Sequence, residues 1–267
     1  MDGLLLSGVL GLAGLVLWRL RVRDELPGTP PDRDGRGLIG LFVLGFLILR
    51  FSTQAFLSNT GVPHLEDLTV VQTVSALSAG NAVTALALLL LVRRHPSGRG
   101  ALGMTAQAQG SPWLAGLCAY LLAIPVIALL TQVNFALAPL YLGEAAEQEL
   151  VQGLLRAFIE EGARSSATAW IAMGIVIPFA EELLFRGALY GGLRYRLGPW
   201  RAAFFSGLIF AVIHLDPAHI LPLTGLGILL AWIYERTGSL AAPALVHILN
   251  NLVTLAVQST LSPEDLT

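Results

Sequence analysis

Residues 171–190, IAMGIVIPFAEELLFRGALY, decide the fold of this chain. An apolar stretch of about 20 residues is long enough to cross a bilayer as a helix. This one also carries Glu181, Glu182 and Arg186, and ionisable side chains at bilayer depth are costly and usually functional. The alternative is a helix that ends near Ala180, with the charges solvated at the interface. Because the sequence stays apolar after Arg186, we predict a continuous membrane-spanning helix with functional charges.

The three charges divide into a pair and a single group. Glu182 and Arg186 are four residues apart, so they share a helix face and can form an ion pair. Glu181 points roughly 100° away from Glu182, because an α-helix turns by about that angle per residue. We therefore predict that Glu181 is directed at a different partner.

Composition indicates a membrane protein. Of 267 residues, 55% are hydrophobic and 13% charged, which is far from the usual soluble mixture. The net charge of −2 argues against a nucleic-acid partner. Cys118 is the single cysteine, which excludes an intramolecular disulfide and a cysteine metal cluster. The predicted fold class is all-α, a polytopic helix bundle whose partner is the lipid bilayer.

The apolar runs predict about eight spans of roughly the length that a bilayer requires. They cover residues 3–18, 38–58, 70–92, 113–133, 166–190, 202–215, 219–234 and 240–258. Residues 1–165 are predicted to be a variable N-terminal region of four spans. This region ends in an outer connection, 134–165, whose helical periodicity indicates an amphipathic helix on the membrane surface, a lid or an extension of the next span. Residues 166–258 are predicted to be the functional core.

Arginine placement predicts the orientation of these spans. Positive charge is concentrated in loops on the cytoplasmic side of membrane proteins. The predicted inner loops contain Arg19, Arg21, Arg23, Arg33, Arg36, Arg93, Arg94, Arg99, Arg194, Arg196, Arg201 and Arg236, whereas the outer segments contain Arg156 and Arg164. Both termini are therefore predicted to lie outside. The lysine-free composition and the lack of eukaryotic sorting signals favour the cytoplasmic membrane of a bacterium.

Four polar residues on three predicted spans share one depth. Glu181, His214, His247 and Asn251 each lie 11 to 15 residues from the nearest arginine of an inner loop. At a helical rise of ~1.5 Å per residue, this places them roughly 17–22 Å from the inner anchors, near the middle of the bilayer. Each could instead be a structural hydrogen-bonding residue between helices. The shared depth favours a common site.

These residues fall in three motifs that resemble a known family. EELLFR at 181–186 resembles the EExxxR motif of the CAAX-protease and bacteriocin-processing (CPBP, or Abi) family, FAVIH at 210–214 its FxxxH motif, and HILNN at 247–251 its HxxxN motif. The family consists of intramembrane proteases and includes the type II CAAX prenyl endopeptidase. The resemblance covers about residues 168–257.

The resemblance implies a peptidase that uses an activated water. Glu181, close to His214, would hold the water and act as general base. His247 and Asn251, on one helix face, would donate hydrogen bonds to the oxyanion. Glu182 and Arg186 would support the site by orienting Glu181 or binding an end of the substrate. Pro178 removes a backbone hydrogen bond nearby and could bend the helix to admit water.

Two alternatives lie beside this hypothesis. Glu181, His214 and His247 could bind a catalytic zinc ion. We favour a mechanism without cofactor, because HExxH is absent and an amide at Asn251 adds little to a zinc site. The second alternative is a non-catalytic membrane protein with a transport or immunity role. The expected substrate is a peptide, a bacteriocin precursor or a membrane protein rather than a prenylated CAAX protein.

Overall fold

The computed structural model describes residues 36–59, 70–94, 102–104, 111–138, 140, 167–214 and 216–260. Within these ranges the chain is helical and contains no strand. The main helices are α1 (Arg36–Ser58), α2 (Val70–Leu91), α3 (Pro112–Leu137), α4 (Ala167–Leu197), α5 (Pro199–Ile213), α6 (Ile220–Thr237) and α7 (Ala241–Thr260). The fold is therefore an all-α membrane bundle, as the composition predicted.

Helices α1, α2, α3, α4 and α7 are long and apolar enough to cross a membrane. Helix α5 is apolar but has only 15 residues, and α6 has Glu235 and Arg236 near its C-terminal end. These seven helices correspond to the predicted spans from 38–58 onward, although α4 continues past residue 190 to Leu197. The predicted first span, 3–18, and the amphipathic segment within 134–165 lie outside the described residues. The predicted count of eight is not confirmed.

Helix α4 alternates between α and π geometry. Wide π turns at Ala172–Val176 and Leu183–Tyr190 flank a short α segment, Ile177–Glu182, that carries both glutamates. In the first π segment, the Ile177 N–H donates to the carbonyl five residues earlier, that of Ala172. The corresponding partner of the Met173 carbonyl would be Pro178, which has no N–H. This carbonyl is consequently available to a neighbouring helix.

The buried face of α4 is at the centre of the main core. Leu183, Leu184, Phe185, Leu189 and Tyr190 pack with apolar residues of α1, α2, α5 and α6, which include Leu38, Leu88, Phe210 and Tyr234. Helices outside the predicted functional core thus contribute directly to the packing around the glutamates. Burial of these side chains fixes the rotation of α4, and with it the directions of Glu181 and Glu182.

Helices α5 and α6 cross with their backbones in contact. A Cβ on Gly227 would lie 2.6 Å from the Gly207 Cα, and one on Gly207 would lie 3.0 Å from the Thr224 carbonyl oxygen. Only glycine leaves room for this approach. The crossing matters for the site because the Gly227 carbonyl accepts a hydrogen bond from Arg186 Nη2, at 3.4 Å.

Gly227→Ala is expected to destabilise the protein by about 1–3 kcal/mol, the usual cost of overpacking a core. The added methyl meets backbone atoms, which cannot move aside as a flexible side chain could. Thermal unfolding of the purified protein in mild detergent measures the loss. Gly40→Ala in α1 is the matched control, since its Cβ would meet nothing within 4 Å. Equal unfolding temperatures for the two variants would contradict the close crossing.

Candidate active site

Three helices deliver the residues predicted from the sequence. Glu181, Glu182 and Arg186 lie on α4, His214 directly follows α5, and His247 and Asn251 lie on α7. Direct contacts connect the glutamates with His247 on α7, and Phe210 on α5 contacts both imidazole rings.

Glu182 is the centre of a buried polar network. One of its carboxylate oxygens, Oε1, lies 3.1 Å from Arg186 Nη1 and accepts a hydrogen bond from His247 Nδ1 at 2.9 Å. The side chains of Glu182 and Arg186 are 0% and 1% exposed, so this is a fully desolvated ion pair. Arg186 also lies over the Phe210 ring, 4.8 Å from its centroid. The predicted ion pair of Glu182 and Arg186 is confirmed, and the Glu182 carboxylate also accepts the hydrogen bond from His247.

Glu181 differs from Glu182 in exposure and in geometry. Its side chain retains 15% of its exposure, and its Oε2 atom lies 3.7 Å from His247 Nε2. That separation is too long for a direct hydrogen bond, and a water molecule could bridge the two atoms. His247 therefore faces Glu182 with one ring nitrogen and Glu181 with the other. Because Nδ1 donates to Glu182, the ring is held with Nε2 directed at the more accessible carboxylate.

His214 is positioned by the aromatic residue of its own motif. Its Nδ1 donates to the Phe210 carbonyl at 2.6 Å, and the two rings are 4.6 Å apart. Phe210 in turn contacts the His247 ring edge-on at 5.5 Å. The four-residue spacing of FxxxH is explained by this carbonyl contact across one helical turn. The pairing of Glu181 with His214 stays a prediction, since the described contacts of His214 are with Phe210.

Asn251 is oriented by the helix that carries the glutamates. Its Nδ2 donates to the Met173 carbonyl at 3.0 Å, the carbonyl that Pro178 leaves without a partner in the helix. A side-chain amide has two N–H donors, so one remains for another acceptor. Neither Met173 nor Phe210 was predicted to orient a site residue, although Phe210 belongs to the FxxxH motif. The role of Met173 could have been predicted from Pro178, which lies five residues later and has no N–H to donate to the Met173 carbonyl.

A zinc ion fits these residues poorly. Across the part of the chain that the structure describes, no group of three His, Cys, Asp or Glu side chains is arranged to hold a metal ion. Both histidines have Nδ1 engaged and Nε2 directed elsewhere, which suits metal binding and acid–base chemistry alike. Glu181, His214 and His247 do not form such a group among the described residues.

Comparison with known proteins shows which family the region of the site resembles. Residues 163–253, which contain all three motifs, match the family model described as type II CAAX prenyl endopeptidase Rce1-like. This region is similar to that family of CAAX prenyl endopeptidases. It contains every residue of the candidate site, while α1, α2 and α3 lie outside the matched range. The predicted boundary at residues 165 and 166 stays a prediction.

Curated relatives are similar to about a third of this chain. The putative membrane peptidase YdiL of Bacillus subtilis is 32% identical over 88 residues, covering 33% of this chain and 36% of YdiL. The membrane-embedded CAAX protease MroQ of Staphylococcus aureus is 33% identical over 100 residues, covering 35% and 40% of the two chains. The UPF0177 protein YxdF of Lactococcus lactis is 32% identical over 82 residues, covering 30% and 44%. The matches thus span less than half of each relative, and no solved structure matches.

Proposed function

We propose that this chain is an intramembrane endopeptidase that hydrolyses peptide bonds without a metal, with a water activated by Glu181 and a histidine. The observation that carries the proposal is the unequal environment of the two adjacent glutamates. Glu182 is sealed in an ion pair, whereas the Glu181 carboxylate stays accessible and lies 3.7 Å from His247 Nε2. A general base must reach its water and still be oriented by neighbours, and Glu181 meets both conditions.

The proposed reaction begins with the removal of a proton from water by Glu181. The hydroxide attacks the scissile carbonyl, and His214 holds the water in line. The carbonyl oxygen becomes an oxyanion as its double bond opens. Collapse of this intermediate breaks the C–N bond, and protonated Glu181 returns its proton to the leaving amine. One residue thus acts as base and then as acid.

His247 and Asn251 are proposed to stabilise the oxyanion. Asn251 retains one N–H after donating to the Met173 carbonyl. His247 presents Nε2 on the side of the ring away from Glu182, and a proton on that nitrogen would make it a donor to the oxyanion. Glu182 and Arg186 act as positioning residues, because they set the His247 ring without facing the substrate.

Asn251→Ala is expected to slow cleavage by about a hundred- to a thousandfold, the usual loss for one oxyanion donor. The measurement is the appearance of new protein N-termini in membranes that contain the wild type or the variant. Asn250→Ala is the matched control, since this neighbouring amide points about 100° away on the same helix. Equal losses from the two variants would contradict an oxyanion role for Asn251.

The substrate is proposed to be a peptide or a segment of a membrane protein that enters the bundle from the bilayer. Relatives described as membrane peptidase and membrane-embedded CAAX protease support this substrate class. Those relatives come from bacteria, which supports a location in a bacterial cytoplasmic membrane. The arginine asymmetry supports termini on the outer side.

A further inference from the structure

The last turn of α3 contacts the start of α6. Asn134 is 0% exposed, and its Oδ1 accepts a hydrogen bond from the Leu221 N–H at 3.1 Å. Leu221 is the second residue of α6, so its N–H belongs to the first turn, whose donors have no partner within the helix. His219, the residue before α6, makes no capping hydrogen bond with its own side chain. An asparagine of α3 therefore caps α6.

A second contact from α3 lies beside the first. The Phe135 ring meets the His219 ring edge-on, with the ring centroids 5.6 Å apart. His219 Nδ1 in turn donates to Asp216 Oδ2 at 2.8 Å, and the His219 N–H donates to the Asp216 carbonyl at 3.2 Å. Two adjacent residues of α3 thus hold the short turn Pro217–His219 and the beginning of α6.

This turn follows His214 closely in the chain. His214 is exposed at the end of α5, and Asp216 comes two residues later. Helix α5 is fixed on α6 where Gly207 meets Gly227. His214 lies seven residues beyond that crossing, about 10 Å farther along the helix axis. The contacts from α3 attach the chain on the far side of this stretch, just after His214.

Helix α3 also packs against the helix that carries His247. A Cβ on Gly116 would lie 2.8 Å from the Ala242 carbonyl oxygen, so the backbones of α3 and α7 are in contact. The three helices α3, α6 and α7 share one buried apolar cluster. Helix α3 is therefore in contact both with the helix of His247 and with the turn after His214.

We propose that Asn134 and its neighbour Phe135 are positioning residues for His214. By holding the start of α6, they fix the turn that follows α5 and so the place of the His214 ring relative to Glu181 and His247. The inference rests on the proposed function, in which His214 holds the catalytic water. It gives a role in catalysis to a helix outside the region that resembles CAAX prenyl endopeptidases.

Asn134→Leu tests the proposal, because leucine has the branched shape of asparagine but no acceptor for the Leu221 N–H. Cleavage, measured as new N-termini in membranes, is expected to fall about 10- to 100-fold, since a misplacement of about 1 Å can cost about a hundredfold. Asn134→Asp keeps an acceptor oxygen at the same position and should restore cleavage to near the wild-type rate. A loss in Asn134→Asp equal to that in Asn134→Leu would contradict the role of this hydrogen bond.

Asn81→Leu is the matched control. Asn81 is 5% exposed on α2, and its Nδ2 donates to the Leu77 carbonyl of the same helix at 2.9 Å. The variant removes a buried asparagine whose hydrogen bond stays within one helix, so it should cleave as the wild type does. Equal losses from Asn81→Leu and Asn134→Leu, or wild-type cleavage by Asn134→Leu, would overturn the proposal.

A double variant shows whether Asn134 acts through His214. Asn134→Leu should cause no further loss in a His214→Ala background, because the group that it positions is absent. Losses that multiply would overturn the proposal, since a purely structural role affects either background. Glu181→Gln, measured alongside, separates the two proposals. Unchanged cleavage in that variant overturns the proposed function, whereas lost cleavage there with wild-type cleavage in Asn134→Leu overturns only the role of Asn134.

The unfolding temperature of each variant in mild detergent shows whether it folds. If Asn134→Leu lowers it, Phe135→Leu decides instead, because Phe135 is half-buried and leucine remains apolar. That variant removes the ring contact with His219 and leaves the Asn134 hydrogen bond in place. Reduced cleavage at an unchanged unfolding temperature supports the proposal, and wild-type cleavage overturns it.

Discussion

Glu181→Gln is expected to reduce peptide cleavage by about 10²- to 10⁴-fold, the contribution of a well-placed general base. Glutamine keeps the shape and hydrogen-bonding capacity of the side chain but cannot take a proton from water. The Glu181 side chain lies beside His247 and outside the sealed ion pair, so folding and membrane insertion should persist. New N-termini in membranes, quantified for the wild type and the variant, provide the measurement.

Two results would replace the proposed mechanism. A Glu181→Gln protein that restores a deletion phenotype fully would show that the chain acts by binding. A purified wild type that is inactivated by strong chelators and reactivated by zinc would show that metal is required. The unfolding temperature of the variant serves as the control, because it should match that of the wild type.

Glu182→Ala is expected to destabilise the protein by about 3–5 kcal/mol, the cost of leaving one partner of a buried ion pair without the other. Arg186 is 1% exposed and would keep its charge in the core. His247 would lose the acceptor of its Nδ1 hydrogen bond, which is 2.9 Å long in the structure. Thermal unfolding in detergent measures the effect. Substitution of Glu181 should therefore reduce activity and leave stability unchanged, whereas substitution of Glu182 should reduce stability.

A double variant separates charge burial from other effects of Glu182→Ala. Glu182→Ala combined with Arg186→Met removes both charges, and such replacements often restore or improve stability. We expect recovery of most of the unfolding temperature without recovery of activity, because His247 still lacks its acceptor. If the double variant is no more stable than the single one, the uncompensated arginine is not the source of the loss.

The sequence predicted those features of the structure that depend on a single helix rather than on packing between helices. Apolar runs predicted α1, α2, α3, α4 and α7, because about 20 consecutive apolar residues have few alternatives to a membrane helix. Shorter apolar runs predicted α5 and α6. The four-residue spacing of Glu182 and Arg186 predicted their ion pair, since that contact lies within one helix. The depth argument grouped Glu181, His214, His247 and Asn251 because all helices rise at nearly the same rate. Of these four, Glu181 and His247 lie 3.7 Å apart in the structure.

The partners across helices could not be predicted in the same way. The direction of Glu181 toward His247 depends on how α4 is rotated against α7. That rotation is altered by the π turns at Ala172–Val176 and Leu183–Tyr190, which break the usual angle of 100° per residue. The place of Phe210 between the two imidazoles likewise requires the crossing of α5, which no periodicity encodes.

The hydrogen bond from Asn251 on α7 to the Met173 carbonyl on α4 depends on the proline at position 178. Any residue other than proline at position 178 would bring an N–H group into competition for the Met173 carbonyl. The amide of Asn251 would then lose its exclusive acceptor and could rotate about its terminal torsion. Because Pro178 has no N–H, the Met173 carbonyl accepts its hydrogen bond from the Asn251 side chain on α7 instead of from its own helix.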